Sequence, residues 1–130
     1  MPFLTLEDIA AAGNKLVTET VPAPEWGGDL LVRMLSASER IAFYVRESER
    51  QKAAKADGTV DTAYMARFLV LCLCDQAGAR LYADDQADWL NALPSGGAVI
   101  ERAYDVACRL NKMFRHEDQQ LKNSAATLSA

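Results

Sequence analysis

Apolar and polar residues alternate along this chain in stretches of two different periods, and the switches between them mark its elements. Residues Thr5 to Gly13 predict a short helix, with Thr5 as its cap, acids in the first turn and Gly13 at its end. Lys15 to Val21 then alternates with β-branched enrichment at Val17, Thr18, Thr20 and Val21, which predicts a strand halted by Pro22 and Pro24. A second strand is expected over Asp29 to Leu35. Leu30, Val32 and Met34 share one of its faces, while Leu31 and Leu35 share the other with Arg33. The connection from Val21 to Asp29 is too long for a two-residue hairpin, so antiparallel pairing is expected with its register open.

The helical period takes over after Ser36, whose spacing to Glu39 is that of a capping box. Ile41, Tyr44, Val45 and Ser48 form the stripe expected to be buried, and Glu49 to Lys55 reads as a solvated end. Ala56 to Thr59 predicts a turn and the most flexible point inside the domain. Asp61 or Thr62 then caps a helix that is apolar nearly all round, through Tyr64, Met65, Phe68, Leu69, Val70, Leu71 and Leu73. A helix without a polar face belongs at the centre of its domain. Asp75 to Gly78 ends it, and Arg80 to Tyr82 reads as a short extended piece at the edge of the hairpin. Asp84 opens a brief helix with Ala87, Trp89, Leu90 and Leu93, closed by Pro94 and Gly96-Gly97. The last clear helix is expected from Gly97 to Phe114. Ile100, Ala103, Tyr104, Ala107, Leu110 and Phe114 lie on its apolar side, and Glu101, Arg102, Asp105, Arg109 and Lys112 face water. Polar turns from His116 to Lys122 and a fraying stretch from Asn123 complete the chain. The pattern predicts an α+β fold: a mostly helical single domain over residues 1–123, with a small antiparallel β-hairpin near the N-terminus, and a tail over 124–130.

Composition narrows the function. The 130 residues are half hydrophobic and a quarter charged, enough for one domain with a modest core. A net charge of -4 argues against nucleic acid or an anionic membrane as partner, since either requires a basic face. The N-terminus has no signal-peptide pattern, and the apolar run from Ala63 to Cys74 is broken by Arg67 and is too short to cross a bilayer, so an intracellular soluble protein is expected. Three cysteines, Cys72, Cys74 and Cys108, fit free thiols in a reducing compartment. Cys72 and Cys74 are two apart on a helix and share no face, so they read as small buried hydrophobes.

Reactive chemistry is sparse. The one histidine, His116, lies in a charged segment. Asp84, Asp85 and Asp88 lack the ligand spacing of a calcium loop, and acids at a helix start complement its dipole. Gly27-Gly28 and Gly96-Gly97 lack the partners of a phosphate or dinucleotide loop. No catalytic, cofactor or metal residue is expected. Presented surface is the stronger candidate. Gly27 and Gly28 supply a tight reversal with Trp26 at its lip, where the ring either plugs the core or anchors a partner. Tyr82 is a second candidate anchor, while Trp89 is expected in the core. Strand edges of the hairpin invite pairing with another chain.

The ordered series Pro24-Glu25-Trp26-Gly27-Gly28-Asp29, Val32-Arg33, Leu35-Ser36 and Glu39-Arg40 resembles the opening motif of the tail assembly chaperones of long-tailed bacteriophages. The likeness continues through Leu71 to Asp75, Gly78, Leu81-Tyr82 and Asp84-Asp85, then Ala98 to Tyr104 and Leu110-Asn111, so that it spans residues 4–124. It implies a non-enzymatic protein made in the host bacterial cytoplasm and absent from the mature virion. Such a protein holds the tape measure protein soluble and recruits tail tube subunits, with no cofactor; as a homo-oligomer, self-association through strand edges or helix faces would arrange its copies in a spiral or ring. Many genes of this family also yield a longer product by ribosomal frameshifting. On this reading the candidate partner-binding residues are Trp26, Gly27, Gly28, Val32, Ile41, Tyr44 and Tyr82. The alternatives are a minor tail or connector protein retained in the virion and, with far less support, a small enzyme or metal-binding regulator using the Asp84 cluster or the cysteines.

Overall fold

A computed structural model of the protein describes residues 2–113. The expectations for Phe114, for the polar turns from His116 and for the tail over 124–130 lie outside the described residues. The N-terminal helix α1 (Leu6–Gly13) forms as expected, with a full capping box between Thr5 and Asp8, yet none of its residues is buried. Strand β1 (Thr18–Ala23) pairs antiparallel with β2 (Gly28–Arg33), from Thr18 opposite Arg33 to Ala23 opposite Gly28. Pro22 therefore sits inside β1 and does not end it. This is tolerated because β1 is the outer strand of the sheet, where a missing N–H costs no ladder bond on the open side.

A third strand is present, but not where Arg80 to Tyr82 was expected to supply it. The chain leaves helix α3 (Tyr64–Cys72) directly into β3 (Leu73–Cys74), which pairs with β2 through Leu31 and Cys74 and through Val32 and Leu73. Arg80 contributes one further bridge to Cys74. The sheet order is β1-β2-β3.

Helix α2 (Ala37–Asp57) starts at the Ser36–Glu39 capping box and ends at Gly58, whose φ of 70° suits a left-handed cap. The buried face of α2 is not the expected one. Phe43 and Glu47 point inward, whereas Ile41, Tyr44, Val45 and Ser48 are exposed on the opposite side. Partners explain the rotation. The Phe43 ring joins Phe68 at 5.3 Å and Tyr64 at 5.7 Å, and Glu47 finds Arg67 of α3. An aromatic cluster and a paired carboxylate together outweigh the burial of three aliphatic or phenolic side chains.

Helix α3 is central, as its all-round apolar pattern predicts, with Ala66 and Phe68 to Cys72 buried. Helix α5 (Gly97–Leu110) packs across α3 and the sheet, burying Val99, Ile100, Ala103, Tyr104, Val106, Ala107 and Cys108. A short 3-10 turn (Asp84–Gln86) runs into helix α4 (Ala87–Asn91), which buries Ala87 and Leu90. Trp89 corrects the sequence reading: it is 56% exposed, because the one-turn helix spends its inward positions on Ala87 and Leu90. Asn111, at the end of α5, is a buried polar residue. Its Oδ1 accepts the N–H of Leu35 at 2.7 Å and its Nδ2 donates to the carbonyl of Ala107 at 2.9 Å, fixing the passage from β2 to α2.

Candidate functional site

The hairpin tip is a rigid corner. Pro24–Trp26 makes a 3-10 turn, and Gly27 follows with φ 78°, the left-handed conformation that favours glycine. Gly28 needs no such freedom; it already lies in β2, opposite Ala23. Trp26 is half-buried, and its indole N–H donates to the Ser95 hydroxyl at 2.9 Å. Beside it, Arg102 donates to Glu25 at 2.8 Å and to the carbonyl of Pro22 at 2.8 Å. The hydrogen bond from Arg102 draws the Glu25 carboxyl down to about 2. Trp26 thus straddles the two roles open to it, with its polar edge used internally.

The remaining candidates separate. Val32 is fully buried in the sheet, so packing occupies it and it presents nothing to a partner in this fold. Ile41 and Tyr44 do come together on the outward face of α2, with Val45 beside them; Ile41 is 62% exposed. Tyr82 is half-buried and its ring lies 5.6 Å from that of Trp89, with exposed Leu81 adjacent in sequence. The hairpin tip, the outward face of α2 and the Tyr82–Trp89 ring pair are apolar features carried by different elements.

Ion pairs hold the elements that carry them. Asp84 accepts from Arg46 of α2 at 2.9 Å and from Arg80 at 2.7 Å, and these hydrogen bonds, Arg46's first, lower its carboxyl below the usual range. Arg80 also donates to the carbonyl of Val70 at 3.0 and 2.9 Å. The acid read as a helix cap is therefore a clasp between α2 and the segment before Trp89. Arg33 reaches from β2 to Glu39 at 2.6 Å and to the carbonyl of Leu71 at 3.0 Å. Among the described residues no group of three or more His, Cys, Asp or Glu could hold a metal ion. The three thiols are free and buried, and burial pushes the Cys72 thiol up to about 12. No helix among the described residues is long and apolar enough to cross a membrane.

Sequence reasoning missed Glu47, Asn111 and the surface position of Trp89. A signal existed for Glu47 alone: it lies four residues after Phe43, on the face that an aromatic would seek.

The family model for phage tail assembly chaperones matches residues 6–123. That is most of the chain, and the protein belongs to the phage tail assembly chaperone family. Searches of curated proteins and of solved structures found no match.

Proposed function

We propose that this protein binds a tape measure protein, keeps it soluble and brings tail tube subunits to it, working as several copies in the host bacterial cytoplasm. The observation that carries this reading is the uncovered apolar surface, above all the Trp89–Tyr82 ring pair with Leu81 beside it. Tryptophan and tyrosine supply large contact area at low entropic cost and dominate interface energetics. A tape measure protein presents long apolar helix faces before the tube encloses it. One shallow aromatic patch would hold such a face weakly, and repeated copies along its length would hold it well. Weak single contacts also let tube subunits replace the chaperone, so the protein would leave before the particle is finished. Trp26, Gly27 and Gly28 shape the second corner available to a partner, and Ile41 and Tyr44 the third. The work is that of a surface, with no bond-making step.

The test follows the protein through infection. It should co-purify with a tagged tape measure protein from lysates made during assembly, and be missing from purified virions. Stoichiometric amounts in virions would favour a permanent tail component. Absence from both preparations would contradict the proposal.

A further inference from the structure

We infer that α1 of one copy docks on the outward face of α2 of a second copy; this rests on the reading that several copies act together. Helix α1 carries the bonds of a designed start, with Asp8 N–H donating to Thr5 Oγ1 at 3.1 Å and Thr5 N–H to Asp8 Oδ2 at 3.0 Å. Eight residues are too few for a helix to persist alone in water, where about 12–15 are marginal. Among the described residues nothing covers it: Phe3 is 99% and Leu6 84% exposed, and Leu4 and Ile9 are exposed with them. The arm is an apolar helix that no described residue seats.

The outward side of α2 has the complementary character. Ile41, Tyr44 and Val45 lie on it, opposite Phe43 and Glu47, and at helical spacing the same side continues through Ser48 to Lys52 and Lys55. Residues 2–14 carry Glu7 and Asp8 and no basic residue. A parallel seating sets Phe3, Leu4 and Leu6 on Ile41 and Val45, and the arm's acidic first turn beside Lys52. The lengths agree: the arm spans about 12 Å and the stretch from Ile41 to Lys52 about 16 Å at helical rise. Four large side chains on the arm and the stripe beneath them bury on the order of 1,000 Å² together, the lower bound for a specific interface. Donor and acceptor are different patches of one surface. A contact that the second copy does not return to the first is head-to-tail and propagates into a ring or an open spiral, the arrangement that would lay copies along an extended client.

Sedimentation velocity on the full chain tests this with two exposed-site variants, Ile9→Asp in the arm and Val45→Asp in the stripe. Wild type should form species that grow with concentration. Each variant alone should be monomeric while keeping the wild-type melting midpoint. Mixed in equal amounts, the two should give a discrete dimer, since one intact arm and one intact stripe remain. Glu7→Lys should weaken assembly several-fold, and Lys52→Glu in the same chain should restore it. The inference is overturned by a monomeric wild type, by a variant that assembles as wild type does, or by a mixture that stays monomeric, as it would if the arm folded onto its own α2. A wild type that assembles this way but leaves the tape measure protein insoluble would remove the proposed function alone. A monomer that keeps the tape measure protein soluble would remove this inference alone.

Discussion

Removing the carboxylate of Glu47 should loosen α2 from the body of the protein. Glu47 accepts two hydrogen bonds from Arg67, Oε1 from Nη2 at 2.6 Å and Oε2 from Nε at 2.8 Å. The two side chains are only 7% and 13% exposed. Breaking a well-buried pair by deleting one partner costs about 3–5 kcal/mol, because the surviving charge stays desolvated. Here Arg67 keeps a second carboxylate, Asp61, on its more open side. That relief reduces the expected cost of Glu47→Ala to about 2–3 kcal/mol. Since Phe43 is the other buried residue of α2, the loss should concentrate there, and the amides of α2 should exchange with solvent faster than those of α3 or α5. Urea unfolding followed by circular dichroism, on wild type, Glu47→Ala, Arg67→Met and the double variant, gives the coupling energy directly. A coupling above about 1.5 kcal/mol is expected. A value below about 0.5 kcal/mol, typical of an exposed pair, would refute the claim that this contact seats α2.

Three further outcomes are expected. Asn111→Ala leaves the Leu35 N–H without its buried acceptor and should cost about 1–3 kcal/mol in the same urea assay. Cys72, Cys74 and Cys108 should resist a thiol reagent such as Ellman's at pH 8 in the native protein and all react in denaturant, because burial raises the first two thiols and all three are enclosed. Hydrogen bonds from Arg67 and Arg46 lower Asp61 and Asp84 in the folded state, so they contribute stability that is present above the unfolded carboxylate value and lost as pH falls through the folded one. Stability by urea titration should hold from neutrality down to about pH 5 and decline below about pH 4.

Local chemistry made much of the fold legible. The Thr5 and Ser36 capping boxes, the two strands around the glycine turn and the all-round apolar α3 each follow from residues within one element. What failed depended on distant partners. The orientation of α2 turns on Arg67 and the Phe68 ring, some 20 residues away in sequence, and periodicity sees neither. The stripe of Ile41, Tyr44 and Val45 looked like core because its spacing is that of core. In this fold the same spacing lies on the outward side of α2, opposite Phe43 and Glu47. Strand β3 escaped notice because two residues at the end of a helix carry too little pattern to announce a strand. Of the candidate site, Tyr82 and the hairpin tip were visible as rings and glycines near turns. Val32 was not separable from them until its burial was known, and Trp89 looked like core in so short a helix.

The central claim is that this protein lends apolar surface to an aggregation-prone client, and one measurement bears on it most directly. The tape measure protein is expressed alone, with the wild-type protein, and with the Trp89→Asp variant, and its soluble fraction is compared. The expected result is an insoluble client alone, a soluble one beside the wild type, and a loss of most of that solubility with the variant. A client whose soluble fraction is the same in all three preparations would contradict it.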